Sequence, residues 1–237
     1  MDGVLGHHFG NSDSTQQVFE IGEALRSLLQ RANNRNLKNL YERVVRDSIL
    51  SYIDSLLKEL NKSMVSFDPV RLVEIGRYFA TRAGHREAVK FGLALLGFAG
   101  TSDDLGVLNV LGRNEEFTLY SAVAIARVAA DPEQALWNLA RDVHGWGRIQ
   151  IVERLKQTKN PEIQAWMLRE GFHNEIMDEY LACICARAGR LHEALRKQFV
   201  DDALLDGAAG IIRALISGGQ QKELTIMFME QTPVKTT

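Results

Sequence analysis

The sequence predicts an all-α chain organised as an array of helical hairpins, and three observations carry that prediction. The stretch from Asp131 to Thr158 aligns with the stretch after it: Asp131-Pro132-Glu133 falls on Asn160-Pro161-Glu162, Trp137 on Trp166, Leu139 on Leu168 and His144 on His173, each pair 29 residues apart. A cap, a proline, a tryptophan and a histidine recurring at one offset are the mark of a repeat architecture. Apolar residues recur at spacings of three and four, and no segment shows the period of two that strands require. Candidate helix starts near Asp68, Thr101 or Ser102, Asp131, Asn160 and Arg190 lie about 30 residues apart, room for one hairpin each.

The composition fits such a chain. Of 237 residues 46% are apolar and 24% charged, which is globular rather than disordered. A net charge of -2 and a pI near 6.3 give no overall electrostatic reason to bind nucleic acid or an anionic membrane, although a local basic stripe stays open. The two cysteines, Cys183 and Cys185, are two apart in a helical pattern and point to different sides, so neither a disulfide framework nor a zinc site is expected. There is no signal-like start and no run of about 18 apolar residues. A soluble, cytoplasmic protein without membrane attachment is the expectation.

In chain order, residues 1–15 read as a flexible arm, whose His7-His8 pair has no further metal ligand nearby. Residues 16–62 read as N-terminal capping helices. In the first, Val18, Ile21, Leu25, Leu28 and Leu29 form one face, ended by Asn33-Asn34. A single long helix is predicted from Leu37 to Leu60, with a wide stripe that includes Leu40, Val44, Ile49, Ile53, Leu56 and Leu60. Arg26, Arg31, Arg35, Lys38, Arg43 and Arg46 give this end a positive bias, read as a solvated face with a nucleic-acid contact as the other possibility. The array is assigned to 68–230. Its hairpins are 68–82 with 85–99, 102–111 with 115–129, 131–143 with 148–158 around a turn at His144 to Gly147, 161–172 with 175–188, and 191–200 with 202–216. A closing helix at Lys222 to Glu230 and a flexible tail at 231–237 complete the chain.

The second helices carry runs of Ala, Gly and Leu, such as FGLALLGFAG at 91–100 and YLACICARAG at 180–189. Together with Asp68-Pro69-Val70-Arg71 and Ala88-Val89-Lys90-Phe91-Gly92-Leu93-Ala94-Leu95-Leu96-Gly97, these make residues 68–217 resemble short HEAT-like and armadillo-like repeats. The resemblance implies a right-handed α-α superhelix, a solenoid of about five hairpins with N-terminal capping helices, its concave side lined by the second helices. Tetratricopeptide arrays are the nearest rival, because Arg187-Ala188-Gly189-Arg190-Leu191-His192-Glu193-Ala194-Leu195 is similar to one of their turns. Their period of about 34 fits less well.

Trp137 and Trp166, at equivalent positions, are expected to pack between neighbouring hairpins. Trp146 differs, being set between two glycines in a turn. Arg148 lies on the apolar side of the following helix and needs an acid or carbonyl partner, with Asp142, Glu153 and Glu170 in reach; a structural pairing and a ligand-facing guanidinium both stand. Gln150 and Arg154 share the polar side of that helix. The resemblance implies that Asp178 and Arg187, with Arg127 and Arg213, face the same groove. His144 and His173 share one repeat position, as partner contacts, as an acid-base pair or through a common turn hydrogen bond. There is no glycine-rich phosphate loop, no HExxH and no GxSxG, so no catalytic residue, metal or cofactor is assigned. The expected function is a non-enzymatic scaffold that binds a partner protein in the concave groove through His144, Trp146, Arg148, Gln150, Arg154, His173, Asp178 and Arg187. The alternative is a nucleic-acid-binding protein or DNA glycosylase-like enzyme, since HEAT-like glycosylases show that the resembled architecture can grip a duplex.

Overall fold

The computed structural model describes residues 11–62 and 68–219; the His7-His8 pair, the Lys222 to Glu230 helix and the 231–237 tail lie outside them. The described residues hold thirteen α-helices and no strand. In order these are α1 (Asn11–Gln30), α2 (Asn34–Val44), α3 (Ile53–Lys62), α4 (Pro69–Arg82), α5 (Arg86–Ala99), α6 (Leu105–Gly112) and α7 (Glu115–Val128), then α8 (Pro132–Asp142), α9 (Gly145–Arg154), α10 (Pro161–Trp166), α11 (Glu179–Ala188), α12 (Leu191–Leu195) and α13 (Asp202–Ser217). None is long and apolar enough to cross a membrane.

The starts obey local chemistry. Asp68, Asp131 and Asn160 each turn a side-chain oxygen onto an N–H of the first turn, and a proline follows each of them. Thr101 and Asp104 form a reciprocal capping box ahead of α6.

The chain divides into two compact units. The first comprises Met1–Leu111 and Tyr120–Ala130. There α4 packs along α5, α1 packs on α2 and α3, and α2 and α3 pack on α5. Close approach depends on the small residues of α5: a Cβ at Gly92 would sit 2.4 Å from the Ala80 nitrogen, and one at Gly97 would sit 2.9 Å from the Ala124 Cα. Val18, Ile21, Leu25, Leu28 and Leu29 of α1 are all buried.

The helix expected from Leu37 to Leu60 is corrected to two. It breaks after Val44 and passes through a short 3-10 turn, Ile49–Ser51, before α3. The break has a tertiary cause. Glu87, buried on α5, accepts the Ile49 N–H at 2.7 Å, so that donor leaves the helical ladder. Glu87 also receives the Lys90 ammonium at 2.9 Å, and that ammonium lies 5.7 Å from the Tyr120 ring centre. Three of the six basic residues of this end form ion pairs, Arg43 with Glu20, Arg26 with Glu23 and Lys38 with Glu42.

The second unit comprises Gly112–Leu119 and Asp131–Thr237. Here α8 packs on α9, α9 on α11, and α11 on α13. Trp137 and Trp166 meet edge to face at 6.5 Å, while the guanidinium of Arg141 covers Trp137 at 4.7 Å. Several helix boundaries differ from expectation. The turn placed at His144 to Gly147 is only Val143-His144, with Gly145 already helical. After Trp166 the helix widens into a π turn, Met167–Gly171, which brings the Leu168 carbonyl against α13, where a Cβ at Gly207 would lie 2.0 Å from it. The helix expected from Glu175 begins at Glu179, because residues 173–178 form a side-chain-braced loop. Finally, α12 stops at Leu195 rather than Val200.

Candidate functional site

The loop before α11 is built by Asn174, which is fully buried. Its amide nitrogen donates to the carbonyls of Phe172 (3.2 Å) and Met177 (2.9 Å), while its side-chain oxygen accepts the N–H groups of Ile176 and Met177, both at 2.9 Å. The arrangement uses every donor of the side chain and leaves the loop little freedom. Its carbonyl in turn accepts the Gly145 N–H at 2.7 Å, joining the loop to the start of α9.

Arg148 completes that joint from the inside. It is 8% exposed; its Nε donates to the Val143 carbonyl at 2.8 Å and its Nη1 to the His173 carbonyl at 2.9 Å. The guanidinium also lies 6.0 Å from the Trp166 ring centre. Burial lowers its pKa from the ordinary arginine range, opposed by the charges of Glu170 and Glu175, and it remains a cation. Of the two sequence readings, the geometry gives the structural pairing, with backbone carbonyls as its hydrogen-bond partners in place of Asp142, Glu153 or Glu170 as direct ligands.

The entry of α9 needs both of its glycines. Gly145 has φ +60°, and a Cβ there would meet the Glu115 carboxylate at 2.7 Å. A Cβ at Gly147 would lie 2.8 Å from the hydroxyl of buried Thr118. Glu115 Oε1 accepts the Trp146 N–H at 2.8 Å, so a carboxylate from α7 caps α9 where His144 makes no side-chain cap.

The result on the outside is a surface patch at the N-terminal ends of α9 and α11. Trp146 is 42% exposed and its ring lies 5.3 Å from that of Tyr180, itself 47% exposed. Ile176 and Met177, on the braced loop just before Tyr180, are also exposed. His144 Nδ1 is 3.2 Å from Glu175 Oε1, and His173 Nδ1 is 2.8 Å from Asp178 Oδ2. Glu175 holds φ +67°, a left-handed conformation that a non-glycine residue adopts only when its surroundings impose it.

The structure therefore gathers His144, Trp146, His173 and Asp178 and turns Arg148 inward beneath them. Gln150 and Arg154 lie about 6 and 12 Å further along α9, where Arg154 Nη1 donates to the Gln150 carbonyl at 2.6 Å. The Gln150 side-chain oxygen is buried without a hydrogen-bond partner. Arg187 is exposed in the last turn of α11, about 10 Å along the axis from Tyr180. Glu115, Asn174, Glu175, Ile176, Met177 and Tyr180 were not anticipated as site residues; the one signal for them was the unbroken run Asn174-Glu175-Ile176-Met177, which mimics a helix start.

Cys185 is buried and burial pushes its thiol far above the ordinary range, which keeps it neutral and unreactive near pH 7. Among the described residues no group of three or more His, Cys, Asp or Glu side chains is placed to hold a metal ion. No family profile, curated protein or solved structure matches the chain.

Proposed function

We propose that this chain is a non-enzymatic protein-interaction scaffold: a HEAT- or armadillo-like stack of helical hairpins whose second helices present a docking surface, centred in the second unit on Trp146 and Tyr180. Support for the stacking comes from Asp131 and Asn160, which cap helices 29 residues apart, and from the Trp137–Trp166 contact between the two stretches. The single observation that carries the docking role is the exposed Trp146–Tyr180 ring pair, preceded by exposed Ile176 and Met177 on a loop braced by Asn174 and Arg148. Large apolar side chains held rigidly in solvent mark interaction surfaces, because their burial by a partner gains area without a large ordering cost. Nucleic-acid binding is less well supported, since the carboxylates of Glu115, Glu175 and Asp178 line this surface and would repel phosphate.

The test separates a docking tryptophan from a packing one. Trp146→Ala should change the unfolding free energy by no more than about 1 kcal/mol, whereas Trp137→Ala should cost about 2 to 4 kcal/mol. In an affinity capture from cells that express the chain, the wild type should retain proteins that the Trp146→Ala variant loses. A melting loss for Trp146→Ala as large as that for Trp137→Ala would make Trp146 a core residue and defeat the reading. So would capture of nucleic acid, released by salt, in place of proteins.

A further inference from the structure

The chemistry around the patch points to the kind of partner, and this step rests on the docking reading. We infer that the Trp146–Tyr180 surface takes a basic amphipathic segment of a partner protein, its apolar side on the rings and Met177, its lysines or arginines on the carboxylates of Glu175 and Asp178.

Three features lead there. First, this surface is rich in carboxylates, and its basic side chains are two histidines, His144 against Glu175 and His173 against Asp178. Residues 170–180 contain four acids, Glu170, Glu175, Asp178 and Glu179, with no lysine or arginine, and Glu115 adds a further carboxylate at the Trp146 N–H. Arg148, the cation beneath them, is buried and donates to carbonyls. Second, the apolar part is aromatic. Two half-exposed rings 5.3 Å apart offer π faces to a cation, and a guanidinium or ammonium over such a face with a carboxylate nearby gains from both. Third, the competing occupants meet repulsion. A second copy of this chain docking by the same face would set carboxylates against carboxylates, and an anionic bilayer would meet the same like-charge penalty. A basic segment gains from both parts of the surface.

The experiment uses the full chain and three synthetic helical peptides with one leucine face and a polar face of lysine and arginine, of glutamine, or of glutamate, each followed by fluorescence anisotropy. The basic peptide should bind about tenfold or more tighter than the glutamine peptide at low salt, and that advantage should largely vanish by about 0.5 M salt. Trp146→Ala should remove binding of both. Glu175→Asn, which removes a charge at a left-handed position that asparagine tolerates, should weaken the basic peptide about threefold or more and leave the glutamine peptide unchanged. Circular dichroism melts show that each variant is folded. Equal binding of the basic and glutamine peptides would overturn the basic partner while leaving an apolar docking surface. Preference for the glutamate peptide, or basic-peptide binding indifferent to both substitutions, would overturn the inference. Failure of all three peptides to bind would remove the docking reading with it.

Discussion

The first unit, Met1–Leu111 with Tyr120–Ala130, and the second, Gly112–Leu119 with Asp131–Thr237, bury charge by different means. In the first, buried Glu87 is paired with buried Lys90, and buried Asp104 accepts the Arg77 Nε at 2.6 Å. Each buried carboxylate meets an opposite side-chain charge as well as one backbone N–H, of Ile49 or Thr101, and exposed apolar residues such as Phe19, Leu50 and Val70 come from separate elements. In the second, buried Arg148 answers backbone, gripping carbonyls on two loops, while Asn174 gathers four more backbone groups. That unit also contains the π turn and both positive-φ non-glycine residues among the described ones, Glu175 and Arg190. Irregular backbone leaves N–H and C=O groups that helices would have satisfied, and side chains must supply the missing partners. Once they do, the loop is rigid enough to hold apolar residues outward, and in this chain the clustered exposed apolar residues occur on the irregular unit.

Breaking each kind of burial tests the comparison. The largest effect should come from Glu87→Ala, which removes the buried carboxylate that meets both the Lys90 ammonium and the Ile49 N–H; a loss of about 3 to 5 kcal/mol is expected in urea unfolding. Adding Lys90→Met should recover much of it, and no recovery would mean that the pair does not act as a unit. Next, Arg148→Met should cost about 2 to 4 kcal/mol by leaving the Val143 and His173 carbonyls without their donor. Its amide exchange should accelerate at Ile176 and Met177 first, and exchange that instead rises evenly across α8 would deny Arg148 its role as a clip between loops.

The smallest effect is in pH. Burial raises the pKa of Cys185 in the second unit and of Tyr52 in the first, the latter also through the charge of Glu87. A raised folded value favours the neutral form, so this stability is complete below the unfolded value and is lost as pH climbs toward the folded one. Loss should begin above about pH 8.5 for the Cys185 region and only above about pH 10 around Tyr52. Melting the protein between pH 7 and 11, with a Cys185→Ala variant for reference, checks the order. Loss that begins together in both regions would remove the distinction.

How much was legible in the sequence follows the reach of each interaction. The caps at Asp68, Asp131 and Asn160, the buried stripe of α1 and the close-packing glycines of α5 all act within a few residues or declare themselves by composition, and each is where the pattern placed it. Trp137 and Trp166 were each expected to pack against a neighbouring hairpin, and the structure shows that they meet each other. Other features had no local signal. The helix break at Val45 to Tyr52 depends on Glu87, 38 residues beyond Ile49. Similarly, α9 is capped by Glu115, 31 residues before Trp146, and the delayed start of α11 depends on buried Asn174, whose hydrogen bonds leave no mark in periodicity. Arg148 was recognisable as an arginine in need of a partner, yet which carbonyls would answer depended on two loops meeting. The sequence by itself therefore determined the helical class and most helix starts, because propensity, capping and periodicity are near-neighbour effects. Only the tertiary structure decided which buried charge meets which donor and which aromatic remains outside, because those outcomes are energies of groups that the chain brings together from far apart.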